Sequence, residues 1–236
     1  MKTRMRKSAR LRLPALLLAG AALALTACAP PGTYSKVRGT IRKVVERDLG
    51  PADKYEVTTS RDSLSDLNAG RIARVEVHGV NVRTRLGVTL DDVWLSARDV
   101  KVNRKTSRVE SAREASFRAA LGEQAIASML EKTGIITEPI VSISPSGVSV
   151  RGRVTRGPVP LNVAATGGVR VVSPTQVEFV PKSATVGGMP APGALLSQIS
   201  PALDFSRIYE PLMIQGVALE DGKAILQGTI DWSKIK

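Results

Sequence analysis

The stretch RVEVHGVNV, residues 74–82, decides the fold. Its apolar residues alternate with charged or polar ones up to Val77, and the alternation resumes in the opposite phase at Val80. A period of two is typical of a half-buried β-strand. The phase changes at His78-Gly79, and a glycine inside a strand often marks a bulge. The stretch therefore predicts a strand that bends its sheet.

The same alternation continues on both sides of this stretch, and turn residues separate its segments. It predicts strands at 55–60, 88–103, 116–121, 141–144, 147–154, 159–165, 168–172 and 176–180, with turns at 144–147, 166–168 and 173–176. A closing hairpin over 214–232 turns at Asp221-Gly222, a strong hairpin dipeptide. Short strands joined by tight turns favour an antiparallel meander, and repeated phase changes favour a bulged, curved one.

Three segments have helical periodicity instead. One spans residues 35–49, one spans 122–134, and one follows the breaker at 187–193. The first has an apolar stripe and a basic face, so it either packs on the core with its cations in solvent or also lies near anionic head groups. The predicted fold class is therefore α+β, with a strongly curved, bulged antiparallel sheet that wraps amphipathic helices.

The N-terminus has the pattern of an export signal. Six basic residues lie within residues 1–12, and an apolar run follows at 13–25, too short to span a bilayer as a helix. Leu25-Thr26-Ala27-Cys28 then resembles a bacterial lipobox, in which the cysteine is lipidated. We predict a lipoprotein signal peptide at 1–27, a lipidated tether at 28–35 and a single domain at 36–236. The alternative is an ordinary secretory signal with a chance cysteine.

Composition narrows the function further. The predicted signal takes six of the 34 basic residues and none of the 21 acidic ones, so the mature chain keeps a net charge of +7. That excess favours anionic lipid or an acidic partner. The predicted export, the few aromatic residues and the absence of any nucleic-acid-binding motif argue against nucleic acid.

The sequence lacks the usual motifs of catalysis. His78 is the only histidine and Cys28 the only cysteine, which leaves too few ligands for a zinc site. Neither a G-x-S-x-G elbow nor a glycine-rich phosphate loop is present. Asp91-Asp92 is interpreted as a turn or bulge, since adjacent strand residues point to opposite faces. We predict no enzyme activity, catalytic residue, metal or cofactor.

The order of these motifs resembles a known family. NAGRIARVEVHGVNV (68–82), SFRAALGEQAIASMLEKTG (116–134), VSISPSGVSVRGRV (141–154) and GVALEDGKAILQGTID (216–231) are similar to the bacterial DUF2993, or LmeA-like phospholipid-binding, proteins. The resemblance implies an exported protein with a TULIP-like (BPI-like) half module, in which a curved sheet wraps a helix and encloses an apolar lipid groove. Residues 60–68, SRDSLSDLN, depart from the Gly-Phe-Pro-Phe-like segment of many members.

Two functions stay open after this comparison. The resemblance favours a membrane-anchored lipoprotein that shields phospholipid acyl chains in its groove, for transfer, sensing or presentation. The alternative is a structural or adaptor lipoprotein that holds an envelope protein or an anionic wall polymer. The discriminating property is whether the groove is open or filled. Ala29 permits outer-membrane sorting in a diderm, while a monoderm would hold the anchor on the outer face of its cytoplasmic membrane.

Candidate lipid-contacting residues come from the apolar stripes of the three helices, although each is also an ordinary core position. They are Val37, Ile41, Val44, Ile126, Met129, Leu130, Leu195, Leu196 and Ile199. Candidate head-group residues are Arg71 and Arg74, whose alternative is a solvated strand edge. The sequence identifies no protein partner.

Overall fold

The structure, a computed structural model, describes residues 33–60, 62–85, 87–103, 108–134, 136–155, 160–191, 202–206 and 211–231. The predicted signal peptide, Cys28 and the predicted helix with Leu195, Leu196 and Ile199 lie outside these ranges.

The described residues form three helices and twelve strands. In chain order they are α1 (Thr33–Leu49), β1 (Lys54–Thr59), α2 (Leu64–Asn68), β2 (Arg71–Arg83), β3 (Thr89–Asn103), β4 (Arg108–Gly122), α3 (Glu123–Lys132), β5 (Thr137–Ser144), β6 (Gly147–Thr155), β7 (Pro160–Ser173), β8 (Gln176–Val186), β9 (Met189–Pro190), β10 (Ala202–Asp204), β11 (Leu212–Glu220) and β12 (Lys223–Ile230).

The strands form curved, unclosed antiparallel sheets, which confirms the predicted fold class. The chain builds two sheets where the sequence predicted one. The first has the order β1-β2-β3-β4-β12-β11, and the second has the order β10-β8-β7-β6-β5 with β9 beside β8. The closing hairpin thus returns to the first sheet, and its turn contacts the second through the Gly222 N–H, which donates to the Ile143 carbonyl at 3.0 Å.

The bends lie close to the predicted positions, with one correction. Gly79 keeps the regular register of β2 against β1 and β3. The change of core face falls two residues later, at Asn81, whose φ is 51°. Asparagine tolerates this left-handed conformation better than most residues. Further register shifts between Ser96 and Val102 bend β3 against β4.

Two other local predictions were wrong. Residues 166–168 do not turn, because β7 runs continuously from Pro160 to Ser173 and takes up the irregularity as a register shift against β8. Asp91-Asp92 lies inside β3 and forms neither a turn nor a bulge, since Asp92 pairs with Val80 and Ala120 without a register shift. The helix α1 begins at Thr33, two residues before its predicted start at 35.

Helix α1 covers β1 and β2 with its apolar stripe. Val37, Ile41 and Val44 are at most 5% exposed, while the basic side chains of the other face are exposed. The helix ends at Gly50, where φ is +123° and an added Cβ would come within 2.1 Å of the Arg83 carbonyl oxygen. Glycine permits both the conformation and the close approach.

Helix α3 connects the two sheets. It follows β4 directly and packs on β5. The Glu123 carboxylate, in its first turn, accepts a hydrogen bond from the Ile143 N–H of β5 at 2.7 Å. An acidic side chain is also favourable at this end of a helix, where the backbone dipole is positive. This arrangement fixes one face of α3 toward the space between the sheets.

Candidate functional site

An apolar cleft lies where α3 and both sheets meet. The unfilled space inside it is small, about 40 Å³. The lining side chains are all apolar: Leu121, Ile126, Leu130, Val148, Val150, Val169, Val177, Phe179, Leu203, Phe205, Val217, Ala224 and Leu226. They belong to both of the hydrophobic cores of the molecule or pack against them, so the cleft lies where the two cores join.

The periodicity of the elements places these side chains. Val148 and Val150 are two residues apart on β6, as are Val177 and Phe179 on β8, so each pair lies on one face of its strand. Ile126 and Leu130 are four residues apart on α3 and share one face of the helix. The cleft therefore arises from regular elements whose apolar faces converge without filling the space between them.

The chemistry of the cleft is desolvation. With only apolar side chains on its walls, it offers no group to hold an ion or to activate a reacting bond. An apolar chain that enters it leaves water, and each buried CH₂ contributes about 0.8 kcal/mol. The narrow interior suits a single acyl-chain segment better than a whole lipid.

The structure places some of the predicted lipid-contacting residues in the cleft lining and others in the packed core. Ile126 and Leu130 line the cleft. Met129, between them in the stripe, is 8% exposed and belongs to the core of the first sheet. The α1 residues Val37, Ile41 and Val44 are buried under that helix and do not belong to the lining.

The two predicted head-group arginines are not brought to the cleft. Arg74 precedes the buried Val75 on β2, so its side chain projects from the opposite face of the sheet. It forms an ion pair with Glu76 at 2.5 Å. Arg71, at the start of β2, forms an ion pair with Asp66 at 3.0 Å, and both side chains are well exposed. Their role at a head group stays a prediction.

Sequence reasoning did not single out the strand residues of the cleft. Phe179 on β8 and Val217 on β11 lie in segments correctly predicted as strands, but their alternation only indicates a core-facing side. Leu203 and Phe205, in and just after β10, have no comparable pattern. The one available signal was the rarity of phenylalanine, since two of the three phenylalanines in the chain, Phe179 and Phe205, line the cleft.

The only histidine is part of a cross-strand cluster on the other face of the first sheet. The His78 ring stacks on Trp94 with centroids 4.7 Å apart, and the Arg118 guanidinium lies 4.9 Å from the Trp94 ring centre. His78 Nε2 lies 2.9 Å from an Asp92 carboxylate oxygen. These contacts link β2, β3 and β4 and so stabilise the first sheet.

The described ranges contain neither a metal-binding cluster nor a membrane-spanning helix. Over these ranges, no group of three His, Cys, Asp or Glu residues is arranged to hold a metal ion. In the same part of the chain, no helix has both the length and the apolar character needed to cross a bilayer.

Comparison with protein families identifies the chain. A family model described as LmeA-like phospholipid-binding matches residues 36–229. The chain belongs to the LmeA-like phospholipid-binding family. The match spans most of the sequence, from the start of α1 to the end of β12, so both sheets and α3 of this LmeA-like chain fall within it. The resemblance noted in the sequence is thereby confirmed. Searches of curated proteins and of solved structures found no match.

Proposed function

We propose that this LmeA-like chain is an envelope lipoprotein that holds a phospholipid acyl chain in the cleft between its sheets, in order to transfer, sense or present the lipid. The observation that carries the proposal is the cleft, which is narrow, wholly apolar and lies within the matched region. The binding needs no catalytic group, because burial of methylenes supplies the free energy.

The anchor is the second part of the proposal. Lipidation of Cys28 would join the domain to a membrane through the four residues 29–32, since α1 begins at Thr33. The exposed basic side chains of α1, such as Lys36 and Arg42, would then lie close to the anchor, where anionic head groups attract cations. We place the protein outside the cytoplasm, on the outer membrane of a diderm or the outer face of a monoderm's cytoplasmic membrane.

The adaptor function is the weaker proposal, because it does not require a cleft inside the domain. An adaptor that uses only its surface has no need of unfilled space, and protein interiors normally pack to crystal-like density. In this chain, the side chains at the centre of the domain leave an apolar space of about 40 Å³, which is the feature that favours lipid binding.

Native mass spectrometry of the full-length chain with Cys28→Ala tests the proposal. After incubation with phosphatidylglycerol vesicles and repurification, the protein is expected to carry one phospholipid per chain. Val217→Asp places a carboxylate in the cleft wall and should abolish uptake, because burying an unpaired charge is costly. The matched control Ala218→Asp, at the exposed neighbouring position, should leave uptake unchanged. A lipid-free protein before and after incubation would refute acyl-chain binding and favour the adaptor.

A further inference from the structure

An apolar track leads from the cleft to the far end of the second sheet. Val150 lines both the main cleft and a smaller space of about 10 Å³, which Ile136, Gly152 and Val163 also line. Phe179 likewise lines both spaces. The two spaces therefore share a wall on the inner face of the sheet.

The track continues beyond the smaller space to the strand ends. Val154 lies four residues after Val150 on β6, so it projects from the same inner face about 13 Å farther along. Its partner across the ladder is Leu161 on β7. Two residues on, Val163 pairs with Val186 of β8, which pairs in turn with Met189 of β9. The inner face of this end therefore carries a continuous row of apolar side chains.

The side chains at this end are exposed instead of covered. Met189 is 70% exposed and Leu161 is 40% exposed, although both face the same side as the buried core. On the outer face, Ile140 is 63% exposed. Most of the large exposed apolar side chains in the described ranges thus lie at one end of one sheet, and clustered exposure of this kind marks an interaction site.

Cations lie beside this apolar end. Arg151 pairs with Ile140 across the ladder, and it is exposed with no ion-pair partner among the described residues. Arg153 lies two residues farther on the same face and forms an ion pair with Glu138 at 3.3 Å. Exposed apolar side chains next to arginines match a bilayer surface with anionic head groups, which attract cations while their acyl region takes up the apolar groups.

We propose that this end of the second sheet, the docking end defined by Ile140, Arg151, Leu161 and Met189, inserts into an anionic phospholipid bilayer and is the entrance to the cleft. The inference rests on the proposed lipid-binding function and adds its route. Leu161 and Met189 enter the acyl region, Arg151 meets a lipid phosphate, and the acyl chain passes along the inner face toward Val150.

Site-specific fluorescence tests the docking end. In the full-length chain with Cys28→Ala, a bimane label at Met189→Cys is compared with one at Thr58→Cys, an exposed position on edge strand β1 of the first sheet. With vesicles of equal phosphatidylglycerol and phosphatidylcholine, the label at 189 should shift to the blue and be quenched by nitroxide-bearing acyl chains. The label at 58 should do neither. Equal behaviour at the two positions, or no response at 189, would overturn the proposal.

Two further variants separate the apolar and ionic contributions. Leu161→Asp should weaken vesicle binding at least tenfold, because the aspartate would have to enter the acyl region. Arg151→Glu should weaken binding to the mixed vesicles at least threefold and leave binding to pure phosphatidylcholine unchanged. If Arg151→Glu has no effect on either vesicle, the arginine does not meet the head groups and the proposed orientation is wrong.

A soluble lipid separates failure of this inference from failure of the proposed function. Dihexanoyl phosphatidylcholine below its micelle concentration reaches the cleft without any membrane. Uptake of this lipid without insertion of the label at 189 would overturn the docking end alone. Insertion at 189 without uptake would instead contradict the proposed lipid-binding function, and with it the entrance.

Discussion

Replacement of Ala224 by leucine should block the cleft with little change to the rest of the domain. Ala224 is 5% exposed, lies on β12 and lines the cleft beside Leu226. Leucine adds three carbon atoms, which would occupy space that an acyl chain otherwise fills. Displacing about three methylenes at about 0.8 kcal/mol each costs about 2.4 kcal/mol of binding free energy. That corresponds to about 50-fold weaker binding, since 1.4 kcal/mol is a factor of ten.

The assay is the dissociation constant for a phospholipid with a fluorescent acyl chain, measured for wild type and variant. Ala218→Leu is the matched control, because Ala218 is exposed on the neighbouring strand β11 and pairs with Ile225 across the ladder. It adds the same atoms outside the cleft and should leave the affinity within twofold of wild type. If Ala224→Leu folds and binds as tightly as Ala218→Leu, acyl chains do not occupy this cleft.

Three other predictions concern packing, ionisation and the anchor. Gly152→Ala should lower the free energy of unfolding by about 1–3 kcal/mol in urea titrations, because its Cβ would lie 2.4 Å from the Ile136 side chain. The control is Gly168→Ala on β7, whose Cβ meets no atom within 4 Å and which should cost less than half as much. Burial raises the pKa of Tyr55 to about 12. Because the folded protein favours the neutral phenol, this group stabilises the fold below pH 10, and about 2–3 kcal/mol of stability should be lost between pH 10 and 12. Tyr55→Phe should show a smaller loss over this pH range, and an identical loss would show that the tyrosine is not responsible. Cys28→Ala should remove the lipid-dependent mass increase of the mature protein and release it from washed membranes, and a variant that stays wholly membrane-bound would contradict the anchor.

The strands were predictable because each strand buries one face, and its apolar side chains therefore alternate with polar ones along the sequence. The valines of β2 and β6 alternate as the pleat requires, and Asp221-Gly222 marks the closing hairpin directly. The division into two sheets was not predictable in the same way. It depends on the pairing of β4 with β12, for example Ala119 with Leu226, and periodicity within a strand says nothing about its distant partner.

The exact positions of the bends were also not predictable from the sequence. A phase change in the pattern of β2 correctly indicated an irregular strand, but glycine was assigned the role that Asn81 performs. Both residues tolerate positive φ, so the pattern alone leaves the position uncertain by a few residues. In β7 the glycines 167–168 indicated a turn, yet the strand continues through them with a shifted register.

Of the residues that line the cleft, only those on helix α3 were predicted from the sequence. Ile126 and Leu130 stood out because the stripe of α3 is short and clearly periodic. A strand residue such as Val177 has the same pattern whether it faces another side chain or an unfilled space, because the space results from the combined volumes of many side chains. The role of Arg71 and Arg74 at a head group stays a prediction, and each of them also forms an ion pair with an acidic neighbour.

Photo-crosslinking with a phospholipid that carries a diazirine near the end of one acyl chain tests the central claim most directly. After irradiation of the full-length protein loaded with this lipid, the account predicts crosslinked peptides that contain cleft residues such as Leu130, Phe179 and Leu226. Crosslinks confined to the outer face of the first sheet, around Trp94 and Gln227, would contradict it.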